Sequence, residues 1–398
     1  MKKNYKLIII GGGLVGLSTA YNLVTNYNGY STVKGEDILV LEKNKFFNDK
    51  GSSAGNTRQF RYQYTEKYMT ELVIQSIPDW QKLQQFTTNS LIEHVGSLWF
   101  GDPKLPTTEG GINPAEKTMD KTGVPYSNLN KTQIENWYQF KNLPDDYVGF
   151  YQKDGGAINL PETLKTFYSQ ASIAGVQMLE NTPVLDIKKE NGKYTIQTGE
   201  HEFTTEKILV STGAYVNDIT KYFDKQIKLD IWDMVSAYFE KTNPNIDYPT
   251  WFAFQQPNDE NSNLYYGFPE LDWKYKNYIR VAPDYPFAIY DSPSERKKPT
   301  SEDFKGTEEW VKNHMTDLDS NAKFKSTCML GLPKNKNKLL YLDFITDDKN
   351  VVVQTGGWVA KFAPTFGKIC SQLLINGHTD YNISHFKIES EDLKWLLK

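Results

Sequence analysis

Three glycines near the start of the chain set the tightest limit on what it can fold into. Gly11, Gly13 and Gly16 follow an isoleucine-rich run, residues 5–10, and precede residues 14–27, where Leu14, Leu17, Ala20, Tyr21 and Val24 fall at helical spacing. The pattern reads as a short buried strand, a tight turn and a helix. In such a unit the first glycine makes the turn, the second lets the backbone approach a pyrophosphate, and the third lets helix and strand pack closely. The helix N-terminus then meets the negative charge. A polar loop leads to a second apolar run, residues 38–41, closed by Glu42, which is placed to accept hydrogen bonds from a ribose. Two competing readings are a glycine-rich turn without ligand and a signal peptide opened by Lys2 and Lys3. The glycines interrupt the apolar stretch that a signal needs.

Downstream, residues 64–86 read as helix despite Pro78, and residues 184–210 as strands. Residues 231–288 are dense in Trp, Tyr and Phe with approximate alternation, which predicts a half-buried antiparallel sheet. The end of the chain returns to strands at 339–345 and 351–357. A helix is expected over 364–375, with Pro364 in its first turn and Gly377 as its cap. The 398 residues suggest two domains, in an α/β fold with α+β character: a Rossmann-type dinucleotide domain and a mixed-sheet second domain.

Composition narrows the functional classes. A formal charge of -4 without a long basic run gives no reason to expect nucleic acid. No apolar stretch approaches the roughly 20 residues of a membrane helix. Cys328 and Cys370 are the only cysteines, which argues against a disulfide framework and for a reducing, cytoplasmic setting. The five histidines show no metal-ligand spacing, so no metal is expected.

The glycine motif alone does not separate FAD from NAD. Its N-terminal position favours FAD, and residues 207–214, Lys-Ile-Leu-Val-Ser-Thr-Gly213-Ala, resemble the second dinucleotide-contacting strand of glutathione-reductase-type flavoproteins. Four further stretches extend the likeness. Residues 51–61, Gly-Ser-Ser-Ala-Gly-Asn-Thr-Arg58-Gln-Phe-Arg61, resemble a flavin-covering arginine loop. Tyr265-Tyr266-Gly-Phe-Pro269 is similar to a substrate-domain strand, and Ser326-Thr-Cys328-Met329 to a flavin-attachment segment. Lys361-Phe362 with the following helix completes the set. Over essentially its whole length the chain resembles the FAD-dependent amine oxidases of the D-amino-acid-oxidase superfamily, in the branch of monomeric sarcosine oxidase and N-methyltryptophan oxidase.

That resemblance implies an FAD-binding domain from residues 1–88, 157–217 and 326–398, with a substrate domain from 89–156 and 218–325. It implies FAD bonded covalently through Cys328, while Cys370 reads as an inert core thiol. Cofactor contacts are implied for Gly11, Gly13, Leu14, Val15 and Gly16 in the turn, and for Glu42 and Lys43 after the second strand. Ser52, Thr57 and Arg58 would contribute from the arginine loop, and Val184, Gly213, Met329, Gly356 and Lys361 from later segments. The implied catalytic set is Arg58, Arg61, Tyr266, Arg280 and Lys361. Arg58 is the cation over the flavin, and Arg61 with Lys361 clamps a substrate carboxylate. For Arg58 and Arg61 surface ion pairing is the alternative, and for Lys361 a solvated position.

The expected reaction removes a hydride equivalent from the carbon beside an amine or amino acid, giving an imine and, with oxygen, hydrogen peroxide. The amine must be neutral, so the site should withhold carboxylates. The enzyme is expected to act as a monomer or weak oligomer on a small molecule, with oxygen as its other partner. The chain departs from the family pattern at Arg280, which falls where an oxygen-activating lysine is expected; Lys276 takes that place only by a slipped register. Ala54, Leu330 and the short turn Gly356-Gly357-Trp358-Val359-Ala360 also differ. Trp251, Phe252, Tyr266 and Trp358 are candidates for an aromatic pocket. A flavin dehydrogenase with another acceptor, an NAD-dependent dehydrogenase and a non-catalytic flavoprotein are the rival readings.

Overall fold

The computed structural model describes residues 3–25, 33–256 and 264–396. Two large sheets organise it. The first is built on the strand Asn4–Ile10, which lies parallel to Ile38–Leu41 on one side and Glu202–Val210 on the other. Isoleucines 8, 9 and 10 are covered on both faces, as a parallel strand between helical and sheet layers requires. Glu202–Val210 divides its far edge. Its first half pairs with the antiparallel strand Lys193–Thr198, and its second half runs parallel to Val351–Gly356.

Helix Leu14–Val24 begins directly after the glycines and packs on helices Ala363–Asn376 and Leu160–Ile173. The expected end at residue 27 lies outside the described residues. Ser18 donates to the Ala363 carbonyl at 2.8 Å and Asn22 to that of Pro364 at 3.0 Å, tying the first helix to the start of the last. Helix Ala363–Asn376 carries Pro364 in its first turn and ends at Gly377, whose φ of 74° is the left-handed cap expected there. Helix Lys67–Gln84 accommodates Pro78 in its interior.

The second sheet has nine strands. Thr250–Phe254 and Ser97–Gly101 run parallel and the other pairs are antiparallel, so the sheet is mixed, as expected. Its strand Leu229–Glu240, next to one end of the sheet, is buried on both faces from Asp233 to Phe239 rather than on alternate positions. Val235, Ala237 and Phe239 face a core shared with helix Glu302–His314. Ser236 and Tyr238 face the arginine loop, where Asn56 donates to the Tyr238 hydroxyl at 3.3 Å. The half-buried expectation therefore fails because the chain covers both sides. The strand Phe324–Pro333, carrying Cys328, pairs along its whole length with Leu229–Tyr238. The boundary expected at residue 326 thus falls inside a strand of the mixed sheet. A small third sheet, Thr57–Phe60 with Gly156–Asn159 and Ile92–Glu93, holds the arginine loop between the two large ones.

Candidate active site

A cleft of about 570 Å³ runs from the glycine turn to Lys361. At its head Gly11 has φ +108°, and a side chain there would strike the backbone of Ser211. Any side chain on Gly16 would meet the Gly11 carbonyl, so helix and strand touch through bare backbone. The helix opens without an acidic residue in its first turn, and Gly13 at its N-cap offers no side chain. Only the Leu14 N–H is taken, by Ser53 Oγ at 2.9 Å, and the positive end still faces the cleft. Glu42 is buried and receives the Gly12 N–H at 2.9 Å and the Asn44 N–H at 2.8 Å. Thr212, on the cleft wall, has a buried hydroxyl without a hydrogen-bond partner among the described residues. A helix N-terminus facing the cleft, an orphaned hydroxyl and this volume fit a dinucleotide.

The arginine loop forms the roof. Arg58 Nη2 donates to the carbonyls of Ser52 at 2.6 Å and Ala54 at 2.8 Å, and lies 3.4 Å from Cys328 Sγ. Ser52 Oγ reaches the Met329 carbonyl at 2.7 Å. The loop is therefore pinned to the cysteine strand. Cys328 is half-buried and shares its strand face with Leu330, which lines the cleft. Cys370 is fully buried, and burial pushes its thiol up to about 12.

Beyond Lys361 lies a cluster of charges, buried at Arg61, Glu109 and Lys361 and half-buried at Asp284. Arg61 is 1% exposed, ion-paired with Glu109, and surrounded by the rings of Tyr64, Trp99 and Phe252 at 4.6, 5.2 and 5.0 Å. Its Nε and Nη1 have no hydrogen-bond partner among the described residues. Asp284 accepts from the Thr108 hydroxyl, and burial with Glu109 nearby raises its carboxyl to about 8. Burial and the charge of Arg61 lower Lys361 to about 7. Lys361 Nζ lies 5.1 Å from the ring of Trp358, and Trp80 donates its indole N–H to the Lys361 carbonyl at 2.7 Å.

The residues singled out from the sequence are distributed unevenly over this site. Gly11, Gly13, Leu14, Val15, Glu42, Lys43, Ser52, Arg58, Val184, Gly213, Gly356 and Lys361 line the cleft. Gly16 and Thr57 stand behind it, and the Met329 side chain is turned into a core, so only its carbonyl faces the loop. Lys361 is buried rather than solvated, and Arg61 is buried too. Tyr266 is held up to about 12 by burial, with Arg280, Asp284, Cys328 and Arg58 all near enough to act on it. Arg280 is buried, donating to Ser236 Oγ at 3.1 Å and the Thr57 carbonyl at 3.4 Å, with its guanidinium 4.9 Å from the Phe268 ring. Lys276 is exposed and paired with Asp272, in contrast to the buried Arg280. Trp251 is core and stacks on Trp310.

Two features were not foreseen. The expected absence of carboxylates fails, since Glu109 and Asp284 both lie in the charged cluster. Each is tolerated for a reason: Glu109 is neutralised by Arg61, and Asp284 is held protonated by burial. Trp358, at φ 73°, occupies a left-handed position that rarely takes a bulky residue, and it walls the cleft. Its left-handed backbone, not its candidacy for an aromatic pocket, is the unforeseen part, and Gly356 and Gly357 before it were the only signal.

Comparison with known proteins completes the identification. The profile of the FAD dependent oxidoreductases matches residues 6–373. A protein named as a bifunctional amine oxidase in Dictyostelium discoideum is 32% identical over 98% of this chain, which spans 37% of that relative's length. Monomeric sarcosine oxidase of an Arthrobacter species is 25% identical, with 99% of this chain and 98% of the relative covered. Among solved structures, the open form of NikD, an amino acid oxidase essential for nikkomycin biosynthesis, superposes with a TM-score of 0.89 at 31% identity, covering 98% of both chains. With cleft, cofactor fit and relatives in agreement, the chain belongs to the FAD-dependent oxidoreductase family of the D-amino-acid-oxidase type, whose relatives here are amine and amino-acid oxidases.

Proposed function

We propose that this enzyme oxidises the C–N bond of a carboxylate-bearing amine or amino acid, of the secondary-amine kind, to an imine that water hydrolyses. The observation that carries this reading is the buried Lys361–Arg61 region at the end of the cofactor cleft. Arg61 has its charge answered by Glu109 but keeps Nε and Nη1 without a hydrogen-bond partner among the described residues, beside the buried Lys361. Unmet donors in a dry site call for an acceptor, and a carboxylate is the one an amino acid brings. FAD, when bound, supplies the two-electron acceptor. Gly11, Gly13, Leu14 and Val15 would hold its pyrophosphate, Glu42 its ribose, and Arg58 the ring. Residues 1–88, 157–217 and most of 326–398 would form that cofactor unit, and the remainder the substrate unit.

The chain's own groups also set the protonation of the bound amine. At pH 7 Asp284 keeps its proton and Glu109 is answered by Arg61, so neither stabilises an ammonium. Lys361 below its usual range is ready to exchange a proton near neutrality. We assign Cys328 as the anchor of a thioether to the flavin. Dioxygen is the assigned acceptor, taking two electrons and two protons to give hydrogen peroxide. The enclosed position of Arg280, hydrogen-bonded to Ser236 and Thr57 and outside the cleft lining, favours a second reading in which another acceptor takes the electrons.

Anaerobic bleaching of the flavin by paired amines with and without a carboxylate tests the first reading. Bleaching by secondary amino acids and not by their decarboxylated analogues is expected. Equal response to both would overturn the carboxylate requirement. Reoxidation in air compared with reoxidation by a quinone then decides between the acceptors.

A further inference from the structure

Cys328 sits in a strand that is gripped from its far side as well as from the cleft. Residues directly opposite in an antiparallel pair share a face. Cys328 opposes Met234, whereas Thr327 opposes Val235 and Met329 opposes Asp233, so these four lie on the face turned away from the sulfur. On that far face Arg296 reaches in from the turn Pro293–Glu295. Its Nε donates to Asp233 Oδ2 at 2.7 Å and its Nη2 to Oδ1 at 2.9 Å. The same Nη2 donates to Thr327 Oγ1 at 2.8 Å. Asp233 is 0% exposed, so its charge depends on this partner. The two-pronged contact fixes the guanidinium plane, and with it the direction of the bond to Thr327.

We propose that Asp233, Arg296 and Thr327 are positioning residues that hold Cys328 where its sulfur can join the flavin methyl group. The inference rests on the covalent attachment assigned above. In that step the S–H bond and one methyl C–H bond break, a C–S bond forms, and two protons leave to water. The electron pair passes through the flavin to dioxygen or to an added quinone. A displacement of the sulfur by a fraction of an ångström slows a reaction of this kind without preventing the cofactor from binding.

The test follows acid-stable flavin over time after FAD is added to full-length protein prepared free of it, alongside FAD affinity and thermal melting. Thr327→Val removes one hydrogen bond and leaves the Asp233–Arg296 pair intact. It is expected to slow attachment about tenfold, with affinity and melting unchanged, while Thr327→Ser attaches at the wild-type rate. Asp233→Asn should be slower still; if it fails to fold, Thr327→Val decides the matter. Attachment by Thr327→Val at the wild-type rate overturns the positioning role. Wild-type protein that never acquires acid-stable flavin overturns the covalent assignment instead, which separates the two failures.

Discussion

The glycine cleft and the charged cluster beyond Lys361 are built by opposite means. The cleft head is backbone: a turn at Gly11, a bare contact at Gly16 and a helix N-terminus between them, all within six consecutive residues. The cluster is side chain: Arg61, Glu109, Asp284 and Lys361 come from four separate segments and meet only in the folded molecule. A backbone site needs particular residues to be absent, chiefly Cβ atoms, and tolerates little variation. A side-chain site needs charges to cancel, and partners can change together. The first should therefore break sharply on single substitutions, and the second should show compensation.

The largest effect should come from the buried ion pair behind Cys328. Asp233→Ala leaves Arg296 unanswered, and removing one partner of such a pair costs about 3–5 kcal/mol; a urea titration would show it. Arg296→Ala should cost as much, and a loss below about 1 kcal/mol in both would mean that water already reaches the pair.

Gly16→Val should come next, with about 1–3 kcal/mol of overpacking and loss of flavin from the purified protein. Retention of a full complement of FAD would show that the contact with Gly11 can relax.

In the cluster, Arg61→Met should weaken carboxylate-bearing substrates by about 1.5–3 kcal/mol and strand Glu109. Adding Glu109→Gln should restore stability but not carboxylate binding. Restoration of both would remove Arg61 from the clamp.

A smaller effect concerns pH. Asp284 has its folded value raised to about 8, so the folded state holds a proton that the unfolded state releases above its usual range. Stability from this group is full at low pH and declines as pH rises from about 4 to 8, by up to about 1.4 kcal/mol per unit. Lys361 works the other way: lowered to about 7, it adds stability as pH rises from there towards its unfolded value. Asp284→Asn should flatten the decline between pH 5 and 7 in a melting series. The smallest expected change is Lys276→Met, which should leave both half-reactions of the flavin untouched, because the side chain is exposed and answered by Asp272.

The same contrast explains what could be read from the chain beforehand. Strand Asn4–Ile10, the helix after it and the cap at Gly377 follow local rules, so their sequence signals are self-contained. Glu109 lies among threonines and glycines with no motif, and its partner is 48 positions away. Asp233 was legible in part, since it falls in the apolar phase with Ile231 and Val235, an unusual place for a carboxylate. Its partner Arg296 was not, because a serine-, proline- and lysine-rich loop resembles ordinary surface. The burial of Leu229–Glu240 on both faces depends on which segments cover it, and alternation within one strand carries no record of that.

The close fit at Gly11 also bears on how the enzyme is made. Ser211, whose N–H bonds to the Ile10 carbonyl at 2.9 Å and whose backbone blocks any side chain at Gly11, is synthesised two hundred residues later. The next strand, Val351–Gly356, arrives later still. At about 5–20 residues per second, the first strand waits on the order of 10–40 s on the ribosome for its neighbour. During that interval the edge that Glu202–Val210 will occupy has no native partner and is exposed to wrong ones, while Ile38–Leu41 is already made for the other edge. The nascent chain therefore has no finished dinucleotide turn to offer, and cofactor loading must follow translation of most of the polypeptide.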